Sequence, residues 1–198
     1  MTPVILASTS TARRSLLAAA GLSHTALSPG VDETAAKIAL LADGASPAQV
    51  AEALARQKAI AISRLHPEAF VIGADQTLDL DGQLFDKAET PSAARARLAL
   101  LRGRTHLLHS AVAVAMGGQT VWAQSPSARL TMRDFSDAFL DEWLSRQGDS
   151  VLGSVGCYRL EDEGIQLFSA VEGDYFTILG LPLVGLLAFF REQGVMAA

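Results

Sequence analysis

Apolar residues fall along this chain in two patterns: short solid runs, which suit buried strands, and stripes spaced three to four apart, which suit helices with one covered face. The first solid run, residues 4–7, predicts a strand; a hydroxyl-rich turn follows and then a helix to Ala20, which Gly21 closes as its C′ residue. Ser46-Pro47-Ala48-Gln49 combines a capping box with proline at the first helical position. The helix it starts should run to about Leu65, with Val50, Ala53, Leu54, Ala61 and Ile62 on its apolar side. Phe70-Val71-Ile72-Gly73-Ala74 predicts a buried strand, and residues 78–85 a small hairpin turning at Asp81-Gly82. Thr90-Pro91 starts a helix that Gly103 ends. Residues 107–116 and 121–132, on either side of Gly117-Gly118, predict one long hairpin. Ser136 caps a helix through about Gln147, a strand is expected at 166–170, and Pro182 opens a last helix to about Gln193.

These elements predict an α/β fold, a central mixed sheet covered by helices. No internal repeat or low-complexity linker interrupts the 198 residues, so one domain over 1–198 is expected, with a smaller lobe at about 103–148. Hydrophobic residues at 49% and charged residues at 19% suit a compact core and exclude disorder. No apolar run approaches the roughly 20 residues of a membrane span, and the N-terminus has no secretory pattern. The single cysteine, Cys157, excludes an internal disulfide and fits a reducing, cytoplasmic setting. A net charge of −5 with scattered cations argues against nucleic acid, and aromatics at 6% offer few stacking groups for single strands. The four histidines show no metal-ligand spacing; His106 and His109, three apart on a strand, face opposite sides.

The turn after the first strand carries the strongest chemical signal. Ser8-Thr9-Ser10-Thr11-Ala12-Arg13-Arg14 places two arginines in the first turn of a helix. Cations there oppose the helix dipole by roughly 0.3–1 kcal/mol each. An anion bound in front of the helix removes the conflict, with Ser8, Ser10 and Arg13 converging on phosphate oxygens. Asp75 follows a buried strand, where open α/β sheets commonly keep catalytic groups; on spacing alone it suits an Asx turn equally well. Lys87 ends the hairpin within reach of Asp75 or simply in solvent. Asp32-Glu33 reads as an acidic helix start in a loop-like region, and Lys58 as a surface residue of the capped helix.

Leu6-Ala-Ser-Thr-Ser-Thr-Ala-Arg-Arg-Ser-Leu-Leu17 resembles the opening signature of the Maf family of nucleoside triphosphate pyrophosphatases, with Thr11 where the family usually has proline. Glu33, Lys58, Asp75 and Lys87 occur in the family's order, although Ala88 replaces the proline that usually follows the lysine. Gly173-Asp174-Tyr175 and Ile178-Leu-Gly-Leu-Pro-Leu183 resemble its closing signature, so the likeness covers nearly the whole chain. It implies two lobes of an ITPase-like fold with a cleft between them, and hydrolysis of a nucleoside triphosphate to monophosphate and pyrophosphate.

The resemblance also implies site roles: Ser8, Ser10, Arg13, Arg14, Lys58 and Lys87 on the phosphates, and Glu33 with Asp75 on Mg²⁺ or Mn²⁺. Asp75 is the expected base, or else the ligand of the metal that activates water. Gln76 and Glu161 resemble the pair in the subgroup acting on 7-methyl-GTP, whose cationic base a carboxylate would favour. Alternatives are the dTTP, UTP and CTP pyrophosphatases of the same family, or a non-catalytic nucleotide-binding regulator of cell division and septum formation. The expected partner is a small nucleotide, with homodimers common in the family and neither nucleic acid nor membrane involved.

Overall fold

The computed structural model describes residues 2–197. Among them, eight strands form one sheet, six of them in the order β2(Thr25–Leu27)-β1(Val4–Ala7)-β3(Phe70–Leu80)-β5(Thr105–Met116)-β7(Ser127–Met132)-β8(Phe168–Glu172). Two further strands complete it: β4(Gln83–Phe85) pairs with β3, and β6(Gln119–Gln124) with β5. β1 runs parallel to β2 and β3, while the rest pairs antiparallel, so the expected mixed α/β architecture holds. Helices α1(Thr11–Ala19), α2(Glu33–Ala42), α3(Pro47–Ser63) and α4(Pro91–Leu101) come from the first half, and α5(Asp137–Gln147), α6(Tyr175–Ile178) and α7(Leu183–Glu192) from the second. No helix among the described residues is long and apolar enough to cross a membrane.

The sheet is covered on both faces near β1. On one side, Leu17 of α1 packs with Leu6, Ile72, Leu186 and Phe190. On the other, Ile62 of α3 packs with Ile5, Ala7 and Val71. Helices on opposite faces of neighbouring parallel strands leave a crevice beyond the strands' carboxyl ends, where open α/β sheets hold ligands. A separate cluster gathers Leu78, Leu98, Leu108, Leu130, Trp143 and Tyr158 at the far end of the sheet.

α3 lies unusually close to the sheet because the contact is made of alanines: Ala51, Ala55 and Ala59 against Ala111, Ala113 and Ala115. Gly73 completes it, since a Cβ there would sit 2.2 Å from the Ala55 carbonyl oxygen and 2.6 Å from the Ala59 nitrogen. This close approach fixes how far α3 side chains reach over β3.

Three elements differ from their sequence expectation. The strand expected to stop near Ala74 runs unbroken to Leu80, because β5 pairs with it from Val71 to Asp79. Asp75 is therefore inside a strand, neither at its tip nor in an Asx turn. The single strand expected over 121–132 breaks at Ser125-Pro126, and its halves pair with successive parts of β5. β8 starts two residues later than expected because Glu163–Leu167 forms a 3₁₀ turn that buries Leu167. The acidic helix start read at Asp32-Glu33 is borne out: it opens α2, with Asp32 as N-cap accepting from the Ala35 N–H.

Candidate active site

Beyond Ile72, β3 has lost β1 as a neighbour and has not yet met β4 at Leu78, so 73–77 presents a free edge. The polar groups of interest collect there. Alternation along the strand sends Gly73, Asp75 and Thr77 toward α3 and Ala74 and Gln76 toward the other face; the Gly73 approach to α3 and the Thr77 hydroxyl bond to the Pro47 carbonyl agree.

Lys58 holds the α3 side together. Its Nζ lies 2.7 Å from Asp75 Oδ1 and 2.9 Å from Glu33 Oε2. The lysine is 4% exposed and the aspartate 6%, whereas the Glu33 side chain remains 41% open to solvent. Desolvating an ammonium costs several kcal/mol, which the hydrogen bond to Asp75 and the ion pair with Glu33 offset. Lys58 was expected at the surface. Its spacing from Ala51, Leu54 and Ala55 places it on the buried stripe of α3, a signal the sequence does contain. Asp75 Oδ2 is buried with no hydrogen-bond partner among the described residues.

Arg13 approaches the same edge from the opposite face. Its Nε donates to the Gly180 carbonyl at 2.9 Å, and its Nη1 to the Ala74 carbonyl at 2.8 Å and Ser8 Oγ at 3.4 Å. Burial lowers its pKa from the ordinary guanidine value, while the charges of Asp75 and Glu33 act in the opposite direction. Nη2 has no acceptor among the described residues and stays available. Ser10 is the N-cap of α1, its hydroxyl accepting the Arg13 N–H, and Ser8 Oγ accepts from the Ser10 N–H at 3.2 Å. The hydroxyls thus shape the turn, and the N–H groups of Thr11 and Ala12 are left without a protein acceptor among the described residues.

Ser8, Ser10, Arg13, Glu33, Lys58 and Asp75 are therefore brought to one strand edge by four separate elements. A model of the family described as Maf-like protein matches residues 3–193. The chain belongs to the Maf-like protein family. Among curated relatives, it is 57% identical over 196 residues to a nucleoside triphosphate pyrophosphatase of Caulobacter vibrioides, covering 99% of this chain and 98% of that protein. It is 50% identical to a protein of the same name from Granulibacter bethesdensis, with 96% of each chain covered. It is 46% identical to a 7-methyl-GTP pyrophosphatase of Rhizobium meliloti, with 98% of each covered.

Other residues that the Maf likeness singled out stand apart from this cluster. Arg14 is exposed and lines a hollow of about 410 Å³ with Thr11, Ser15, Ala18, His24 and Ala26. Lys87 is exposed just past β4, with no ion pair among the described residues. Gln76 lies on the face away from Asp75. Its Nε2 donates to Ser110 Oγ at 2.9 Å and to the carbonyls of Thr177 at 3.2 Å and Ile178 at 2.9 Å, tying α6 to the sheet. Glu161 is paired with Arg159 in the segment just before the 3₁₀ turn Glu163–Leu167. The anchoring carbonyls of Ala74 and Gly180 were not foreseen, because backbone acceptors leave no residue-type signal.

Proposed function

We propose that this chain is a nucleoside triphosphate pyrophosphatase that cleaves the α–β phosphoanhydride bond, releasing a nucleoside monophosphate and pyrophosphate. The observation that carries the reading is the carboxylate–lysine–carboxylate bridge of Asp75, Lys58 and Glu33 beside the start of α1, with one buried aspartate oxygen left unpaired. The names of the curated relatives support the same activity.

A divalent cation fits the donors present. Asp75 and Glu33 are hard oxygen ligands, and Asp75 Oδ2 is the kind of orphaned buried atom that a cation satisfies. Among the described residues no third carboxylate, histidine or cysteine joins them, so substrate phosphates and water would supply the remaining ligands. Mg²⁺ or Mn²⁺ bound there would neutralise phosphate charge and polarise the scissile phosphoryl group.

The remaining work falls to side chains. Asp75 has two readings. With the cation carried by Glu33 and the phosphates, its Oδ2 accepts the proton of the water that attacks the α-phosphorus, a contribution of about 10²–10⁴-fold for a general base. With the cation on Oδ2, Asp75 instead holds the metal that would activate that water. Lys58 donates to Asp75 and is ion-paired with Glu33, and it keeps an N–H to offer to a phosphate oxygen. Arg13, fixed through Nε and Nη1, offers Nη2, and the first N–H groups of α1 add further positive potential. Ser8 and Ser10 keep this cradle in shape.

For the base, 7-methyl-GTP is the proposed substrate. Gln76 and Glu161 motivate it, and relatives named for that substrate are 46% and 45% identical. Glu161, exposed and satisfied only by Arg159, can exchange that partner for a cationic base. A panel of 7-methyl-GTP, GTP, UTP, dTTP and CTP, assayed for pyrophosphate with and without Mg²⁺, tests activity and preference together. Preference for a pyrimidine triphosphate would assign the chain to the other substrate group. Tight binding without turnover would make it a nucleotide sensor.

A further inference from the structure

α2 buries none of its ten residues, although seven of them are alanine, leucine or isoleucine. Ile38 is 65% exposed and Leu41 43%. A helix held by core packing would have hidden these residues. Side chains hold this one instead. Glu33 and Lys37, four apart, lie on one face of the helix. Glu33 reaches Lys58 at 2.9 Å and Lys37 pairs with Asp86 just beyond β4. The Asp86 end is firm: Arg97 Nη1 donates to its carbonyl and, at 2.8 Å, to the Val155 carbonyl. The Arg97 guanidinium also lies 4.8 Å above the Phe85 ring.

We propose that Lys37 is a positioning residue: its pair with Asp86 straps α2 across the site and sets Glu33 against Lys58, next to the segment carrying Lys87. The inference rests on the pyrophosphatase reading for its catalytic consequence, but the strap itself does not. Because α2 contributes little buried area, its local opening is governed by these pairs rather than by global unfolding. Exposed pairs are weak, so removing this one should change the opening equilibrium by about 1.4- to 5-fold. Substrate and cation entering the site would then be gated by a helix that loosens readily and closes in register.

Amide hydrogen exchange on the full chain tests the strap without any ligand. In Lys37→Met and in Asp86→Asn, exchange over residues 33–42 should quicken by about 1.4- to 5-fold. α3 exchange and Tm should stay at wild-type values, and Lys37→Arg should keep protection. In pyrophosphate-release assays the half-saturating Mg²⁺ concentration should rise by a similar factor in Lys37→Met, with kcat changed less. Unaltered α2 exchange in both neutralised variants overturns the strap, as does Lys37→Arg exchanging as fast as Lys37→Met. Faster exchange with an unmoved Mg²⁺ requirement overturns the positioning role. Absence of turnover in the wild type would instead overturn the functional reading, leaving the exchange result to stand alone.

Discussion

Replacing Gly73 by alanine should push α3 off the sheet and carry Lys58 away from Asp75. The added methyl would sit 2.2 Å from the Ala55 carbonyl oxygen and 2.6 Å from the Ala59 nitrogen. Both are backbone atoms of a capped helix and cannot rotate aside, so restoring ordinary contact moves the helix outward by about 1 Å. Overpacking of this kind costs about 1–3 kcal/mol, and rigid neighbours place it at the upper end. For a chain of this length about 3 kcal/mol lowers Tm by roughly 6–12 °C. The larger consequence is chemical. Displacing a positioning group by about 1 Å can cost about 10²-fold in rate, and here the displaced group is the lysine bridging both carboxylates. Thermal unfolding by circular dichroism and kcat/KM from pyrophosphate release on the folded variant measure the two effects. Gly153→Ala is the control, since nothing lies within 4 Å of its Cβ position. If Gly73→Ala matches the wild type in both Tm and kcat/KM, close helix approach does not build the site.

Asp75→Asn should stay folded, because Lys58 keeps Glu33 as a partner, yet lose about 10²–10⁴-fold in kcat; near-UV circular dichroism with steady-state kinetics checks both halves. His106 is buried, its Nε2 held 2.6 Å from the Tyr158 hydroxyl and its Nδ1 unpartnered among the described residues, and desolvation lowers its pKa to about 4. Between that value and the unfolded value near 6.5 only the unfolded chain takes up the proton. Stability should therefore fall as pH drops through this window, by up to about 3 kcal/mol at 1.36 kcal/mol per unit. Urea unfolding at pH 7.5 and 5 should show the loss in the wild type and a reduced loss in His106→Gln. Glu161→Gln should cut the preference for 7-methyl-GTP over GTP by about tenfold, the lower end for a hydrogen bond to a charged group. Equal kcat/KM for the two nucleotides in the wild type would remove the basis for that expectation.

Much of the fold was legible because its signals are local. The capping box at Ser46, proline at position 47 and the solid run at 4–7 each specify their element through backbone chemistry, and the structure follows them. β3 was expected to stop near Ala74, where its apolar run ends, yet it continues to Leu80, and Gly73 lies inside it. The glycine's absent side chain admits α3, a tertiary role that no local pattern reveals. α2 was legible only at its acidic start, because its apolar residues never become buried and so lack the stripe of a packed helix. Within the site, the likeness to the Maf family grouped Arg13, Glu33, Lys58 and Asp75, whose types alone suited a helix start, a surface or a turn, while their arrangement depended on pairing. Only the register of β1, β3 and β4 opens the free edge at 73–77, and only the approach of α3 makes Lys58 a bridge.

The central claim is that this edge hydrolyses a nucleoside triphosphate between its α and β phosphates. Product analysis of purified protein with 7-methyl-GTP and Mg²⁺ tests it most directly, separating nucleotides by chromatography and quantifying pyrophosphate and orthophosphate. Equimolar 7-methyl-GMP and pyrophosphate, absent in the Asp75→Asn reaction, is the predicted result. Orthophosphate with a diphosphate product, or unchanged triphosphate across the whole nucleotide panel, would contradict it.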